Sequence, residues 1–281
     1  MNKNRIGVMQ GRLVPKYKNK FQAHPVDYWQ REFLVAKSLG LDLIEFIFDD
    51  NCVEESPLMS LGGVDEIRDM IDSTGVGVVT ICADYFMSAP LHSADFHRSS
   101  DSIRYLRRLV KNAVKLEITD IVIPCVDESA LRSEPEIDRF VSAVRSVLDD
   151  VDKAQINLCL ETDLNPHDFS SLLGRLDYER VTVNYDVGNS AALGYDPSEE
   201  FAAYGDKITD VHIKDRLLNG GSVLLGTGNA NFEFVFQSLR AINYVGPFIL
   251  QAYRDDQGVE IFKKQLDWFN NQTNTYYSGL N

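Results

Sequence analysis

The chain has 281 residues, 44% of them hydrophobic and 25% charged, a balance that can bury a large core. Lys and Arg number 28 against 42 Asp and Glu, a formal charge of −14 that repels a phosphodiester polyanion at long range and sets nucleic acid aside as a partner. No apolar run approaches the roughly 18–20 residues of a membrane span, and the opening MNKNRIGVMQ lacks the apolar core of a signal peptide, so the expectation is a cytoplasmic protein with no membrane partner.

Short β-branched runs alternate with amphipathic stretches from end to end. In chain order the predicted strands are RIGVMQ (5–10), LDLIEFIF (41–48), VGVVTICA (76–83), ITDIVIPC (118–125), INLCLET (156–162), VTVNYDV (181–187), ITDVHIKD (208–215) and PFILQAY (247–253). Most are apolar at successive positions, as parallel strands covered on both faces require. The predicted helices lie at 27–39, 64–73, 99–116, 134–153, 167–176, 197–205, 231–243 and 258–270. Between 99 and 116, Ile103, Leu106, Leu109, Val110 and Ala113 recur at helical spacing with Arg and Lys opposite. Asp196 and Pro197 mark a helix entrance, while Gly40 and Gly75 end helices just before strands. The four cysteines, Cys52, Cys82, Cys125 and Cys159, form no CxxC pair and read as buried reduced thiols.

Eight strand–helix units in strict alternation predict an α/β fold of the (β/α)8 barrel type, a single domain over 1–281. A doubly wound open sheet is the alternative, disfavoured because no GxGxxG follows the first strand. In a barrel the C-terminal strand ends carry function. Those ends offer Gln10 and Arg12, Glu45, Asp84, Pro124 and Asp127, Glu161 and Asp163, Asp186 and Asn189, His212 and Lys214, and Gln251 with Arg254. Glu161, Asp186 and His212 are ionisable residues inside otherwise apolar runs. Burying three such groups together makes sense if they share a cation or one another. Two carboxylates and an imidazole suit a hard to borderline divalent ion, Mn, Mg, Zn or Co. The alternative is a salt-bridged cluster that fills the mouth.

At these residues the sequence resembles the xylose isomerase-like barrels, which include sugar isomerases, ketose 3-epimerases, inosose dehydratases and endonuclease IV. HIKD, the following LLGTGNANFEFVFQSLRAINYVGPFIL, and the opening GVMQGRL carry the resemblance, the last looking like a sugar-phosphate isomerase/epimerase branch. It implies a divalent metal held on strands five to eight by Glu161, Asp186, His212 and, where the family usually has glutamate, Gln251. It also implies a small carbohydrate substrate, often a homodimer or homotetramer, and proton abstraction by Glu161 to give an ene-diolate. Gln251 can ligate through its carbonyl oxygen but cannot shuttle a proton, so two-carboxylate epimerisation is in question, and dehydration or binding without turnover are the alternatives.

Arg12, Lys214, Arg216 and Arg254 near the strand ends favour a sugar acid or sugar phosphate over a neutral sugar. Local pairing of Lys214 and Arg216 with Asp210 and Asp215, or of Arg254 with Asp255 or Asp256, is the alternative. Gln10, Glu45 and Asp84 are expected to bind substrate, Asp84 together with Tyr85 through sugar hydroxyls, although Asp84 could instead cap a turn. His92 and His97 read as loop histidines. The GTG at 226–228 reads as a turn before a helix capped by Asn231. Endonuclease IV chemistry needs several site histidines; of the five here only His212 falls in a strand run.

Overall fold

The apolar runs become eight parallel strands: β1 (Ile6–Met9), β2 (Leu43–Ile47), β3 (Thr80–Cys82), β4 (Asp120–Cys125), β5 (Asn157–Thr162), β6 (Val181–Asp186), β7 (Ile208–Ile213) and β8 (Phe248–Leu250). The computed structural model describes residues 4–51 and 53–277. Neighbouring strands pair in sequence order and β8 pairs back onto β1, with Gly7 opposite Ile249 across the closing seam. The (β/α)8 barrel is therefore the fold, and the open sheet is excluded.

Outside the barrel lie α1 (Gln30–Ser38), α2 (Leu61–Thr74), α3 (Tyr85–Ser88), α4 (Phe96–Ala113), α5 (Glu134–Arg145), α6 (Leu148–Ala154), α7 (Pro166–Leu176), α8 (Val187–Leu193), α9 (Pro197–Tyr204), α10 (Phe232–Ala241) and α11 (Val259–Gln272). Side chains of Ser60, Asp95, Asn165, Asp196 and Asn231 accept from backbone N–H groups at their entrances, satisfying donors that the helix leaves free. The helix expected over 134–153 is split, because Val147 takes φ −114°, ψ −1° between α5 and α6. The runs at 76–83 and 247–253 keep strands of only three residues each, with Gly77 adding an isolated bridge to Leu43. The run at 208–215 stops at Ile213, and Asp215–Arg216 instead pairs with Ser222–Val223 as a small antiparallel ribbon.

Two apolar layers result from the alternation of strand side chains. Outward residues such as Val8, Ile44, Ile81, Ile121, Leu158, Val183, Val211 and Leu250 pack on the helices. Inward, Met9, Ile47, Cys82, Val122, Cys159 and Ile249 close the barrel floor. Two residues further along their strands, the same inward direction delivers Asp84, Pro124, Glu161 and Gln251 to the mouth. Cys82, Cys125 and Cys159 are buried free thiols; Cys52 lies outside the described residues. No helix among the described residues is long and apolar enough to cross a membrane.

Candidate functional site

A cavity of about 440 Å3 opens at the C-terminal ends of the strands, lined among others by Arg12, Gln22, Asp84, Glu161, Asn189, Lys214, Arg216 and Gln251. Glu161 lines this cavity, and its ligand atom lies within 4.8 Å of those of Asp186 and His212, which are buried behind it and outside the lining. His212 Nδ1 is 3.6 Å from Glu161 Oε2 and 3.9 Å from Asp186 Oδ2. Its Nε2 is 2.8 Å from Glu45 Oε2, while Asn184 Nδ2 lies 3.0 Å from Nδ1 and donates to Glu161 Oε2 at 3.0 Å. With Glu45 ionised, Nε2 carries the imidazole proton and Nδ1 a lone pair, the arrangement a metal-ligating histidine needs.

The surrounding electrostatics are those of carboxylates forced together out of water. Burial, and next the Asp186 carboxylate, push Glu161 above its ordinary range, with His212 and Lys214 opposing. Burial likewise pushes Glu45 up to about 8 and raises Asp210 well above the usual carboxylate range. Desolvation thus favours the protonated forms until a positive charge arrives.

Asp186 divides its oxygens. Oδ1 accepts from Asn189 N at 2.8 Å, capping α8, and Oδ2 accepts from Lys214 Nζ at 3.2 Å. Asn189 then joins the cationic rim to the base: its Nδ2 donates to Glu161 Oε1 at 2.6 Å, and its Oδ1 accepts from Lys214 Nζ (3.1 Å) and Arg216 Nη1 (2.8 Å). Lys214 can lie here because residue 188 has no side chain; a Cβ on Gly188 would sit 2.6 Å from Lys214 Cγ. Neither Lys214 nor Arg216 pairs with Asp210 or Asp215. Asp215 instead accepts from the backbone of Gly226, Gly228 and Ala230, which shapes the GTG segment as a turn leading to the Asn231 cap.

Several expected substrate contacts fall elsewhere. Gln10 is buried, its Oε1 accepting from Ile47 N (3.0 Å) and facing His24 Nδ1 (2.9 Å). Glu45 lies beneath His212, away from the cavity lining. Arg254 turns back to donate to the carbonyls of Gly11, Val14 and Asp255, because the chain leaves the strand after Leu250 and the alternation no longer aims it inward. Neither the expected ion pair with Asp255 or Asp256 nor a cavity contact forms. Arg12 does line the cavity, but its guanidinium donates to Ala252 O, Phe21 O and Gln22 Oε1. Asp84 reaches the mouth and accepts from Gln22 Nε2 at 2.8 Å. His92 is buried against Phe140 and His97 is exposed.

Sequence reasoning gave no role to Asn184, Asn189 or Gln22. Asn189 carried a signal: the spacing Asp-x-x-Asn after a strand is that of a helix N-cap and its third residue. Asn184 follows a register shift between β6 and β7 at Val183/Asn184, which no pattern in the sequence marks. Gln22 belongs to a loop.

The donor set fits a divalent cation. Two carboxylates and an imidazole converge, and Gln251 Oε1 is buried without a hydrogen-bond partner among the described residues, a carbonyl oxygen that a cation would satisfy. The sequence model described as xylose isomerase-like TIM barrel matches residues 33–272. The chain belongs to the xylose isomerase-like TIM barrel family. Within that family it is 26% identical over 254 residues to the L-ribulose-5-phosphate 3-epimerase UlaE of Salmonella paratyphi A, covering 85% of this chain and 88% of the relative. In structure it resembles the IOLI protein with a bound zinc atom (TM-score 0.77, 15% identity, 98% of this chain and 99% of that one). It also resembles a xylose isomerase-like barrel protein from Mycobacterium smegmatis in complex with magnesium (TM-score 0.71, 17% identity, 98% of each chain).

Proposed function

We propose that this chain is a divalent-metal-dependent isomerase or epimerase acting on a sugar that carries an acid or phosphate group, through an ene-diolate. The observation that carries this reading is the buried Glu161–Asp186–His212 cluster at the base of an open, cation-rimmed cavity. Glu161, Asp186, His212 and Gln251 would hold the metal. When bound, the metal supplies Lewis acidity that stabilises charge developing on the sugar oxygens. Glu161, kept ionised by the cation it would help to hold, takes the proton from the carbon beside the carbonyl. Asn189 holds that carboxylate in place, and Asp84 accepts a bond from a sugar hydroxyl. Arg216 has no carboxylate within ion-pair distance among the described residues, so with Lys214 it suits the substrate's anionic group. The phosphorylated substrate named for the UlaE relative supports that choice.

The test is solvent deuterium exchange into ketopentose phosphates and sugar acids with added Mn2+, followed by NMR. Exchange should be lost in Glu161→Gln, and Arg216→Met should raise KM for anionic sugars much more than for neutral ones. No exchange into any sugar with any divalent metal would exclude the isomerase reading. A second reading, dehydration with Glu161 as the one base, is favoured by the amide at 251. It would show as water loss with a new carbonyl absorbance; a sugar-binding barrel without turnover would show neither signal.

A further inference from the structure

Gln22 lies in the segment between β1 and α1, yet its carboxamide joins three groups of the mouth. Its Oε1 accepts from Arg12 Nη2 (2.8 Å) and from Gln251 Nε2 (3.0 Å), and its Nε2 donates to Asp84 Oδ2 (2.8 Å). Arg12 cannot swing away. Its Nε donates to Ala252 O at 3.0 Å and its Nη1 to Phe21 O at 3.2 Å, with the guanidinium 5.0 Å from the centre of the Phe21 ring.

A guanidinium only donates, so the Gln22 atom that faces it has to be the oxygen. The same oxygen faces residue 251, which must therefore donate as well. Glutamine does this and an ionised glutamate cannot. Turning the Gln22 amide over gives no escape: its NH2 would meet the guanidinium, donor against donor, and its oxygen would meet the Asp84 carboxylate. With Nε2 held in this way, Gln251 Oε1 is left buried and without a hydrogen-bond partner, on a side chain only 5% exposed.

We propose that Gln22 is a positioning residue that dictates an amide at position 251 and fixes it so that Gln251 Oε1 serves the mouth as a neutral cation ligand. The proposal rests on the mouth being a cation site. By this logic Gln251 is not a glutamate lost by drift, because the network around it rejects the carboxylate. Glutamate becomes acceptable at 251 only when the oxygen of residue 22 is gone and Arg12 is free to meet it.

A double-mutant cycle tests this. Wild type, Gln22→Ala, Gln251→Glu and Gln22→Ala/Gln251→Glu are compared in two measurements: the Mn2+ dissociation constant by chelator competition, and the thermal midpoint after metal removal. Gln22→Ala should weaken Mn2+ binding by about tenfold, as loss of an outer-sphere orienting group does. Gln251→Glu alone should fail to tighten binding despite its added charge, and should lower the metal-free midpoint. The double variant should bind Mn2+ more tightly than either single variant and recover the midpoint lost by Gln251→Glu. Effects that simply add in both measurements overturn the role of Gln22. A wild-type chain that binds no Mn2+ overturns the cation reading and with it the ligand role of Gln251, a failure separate from additivity because the metal-free midpoints read the amide coupling alone.

Discussion

The loop between β7 and α10, which carries Arg216 and Ser222 to the cavity, hangs on one carboxylate. Asp215 is 1% exposed; Oδ2 accepts from Gly226 N (2.9 Å) and Gly228 N (2.8 Å), and Oδ1 from Ala230 N (3.1 Å). In Asp215→Asn a single oxygen remains. Facing the two glycines, it leaves an NH2 against the Ala230 N–H, two donors with no acceptor between them. One hydrogen bond to a charged group is lost outright, and two more lose their charge, a cost of about 3 kcal/mol in all. The loop backbone packs directly on this side chain, a Cβ on Gly228 standing 2.2 Å from Asp215 Oδ1. For a chain of 281 residues the unfolding entropy is about 0.6 kcal/mol/K, so the cost corresponds to a fall in thermal midpoint of about 5 °C. Scanning calorimetry reads the midpoint, and limited proteolysis reads new cleavage between residues 217 and 229. A midpoint within about 2 °C of wild type, with no new cleavage, would refute the assignment of the loop's order to this carboxylate.

Two further outcomes follow from buried carboxylates. Glu32 accepts from Gly11 N at 2.8 Å and Leu13 N at 3.1 Å, and burial pushes it from 4.5 up to about 7. A raised folded-state value means that its contribution is complete below 4.5 and is lost as pH rises through about 7. Wild type should therefore lose about 3 kcal/mol relative to Glu32→Gln over that window; parallel pH profiles from denaturant titrations would contradict it. Glu45 faces His212 Nε2 at 2.8 Å and orients the imidazole, so Glu45→Gln should weaken divalent-metal binding by about tenfold. An unchanged dissociation constant in chelator competition would show that the contact does not tune the imidazole.

The barrel was legible because its signal is redundant: eight β-branched runs and eight amphipathic stretches each report the same alternation. The base of the site was legible for a related reason. Ionisable residues inside apolar strands are costly, and strand periodicity fixes their direction, so Glu161, Asp186 and His212 could be placed together. Direction is lost once a strand ends. Arg254 follows Leu250 by four residues, and nothing local says whether it turns into the cavity or back onto the carbonyls of Gly11 and Val14. Gln10 sits just past a strand end and Glu45 at the middle of β2, and their depth below the mouth depends on barrel stagger, which no single strand encodes. Gln22 was invisible for the opposite reason, because a loop residue acquires its partners only when distant segments close over the mouth.

Asp186 places two tasks on one side chain, with one oxygen on the backbone of α8 and the other turned to the site. In the proposed metal site, a side chain whose rotamer is already fixed by its own helix has little conformational freedom left to lose when a cation arrives. The same economy makes the position brittle. Glutamate would keep the charge, but its extra methylene would move one oxygen off the helix start or the other out of the site. The residue is thus selected for length as strictly as for charge, and a change that leaves the net charge of the chain untouched would unfasten helix and ligand sphere together.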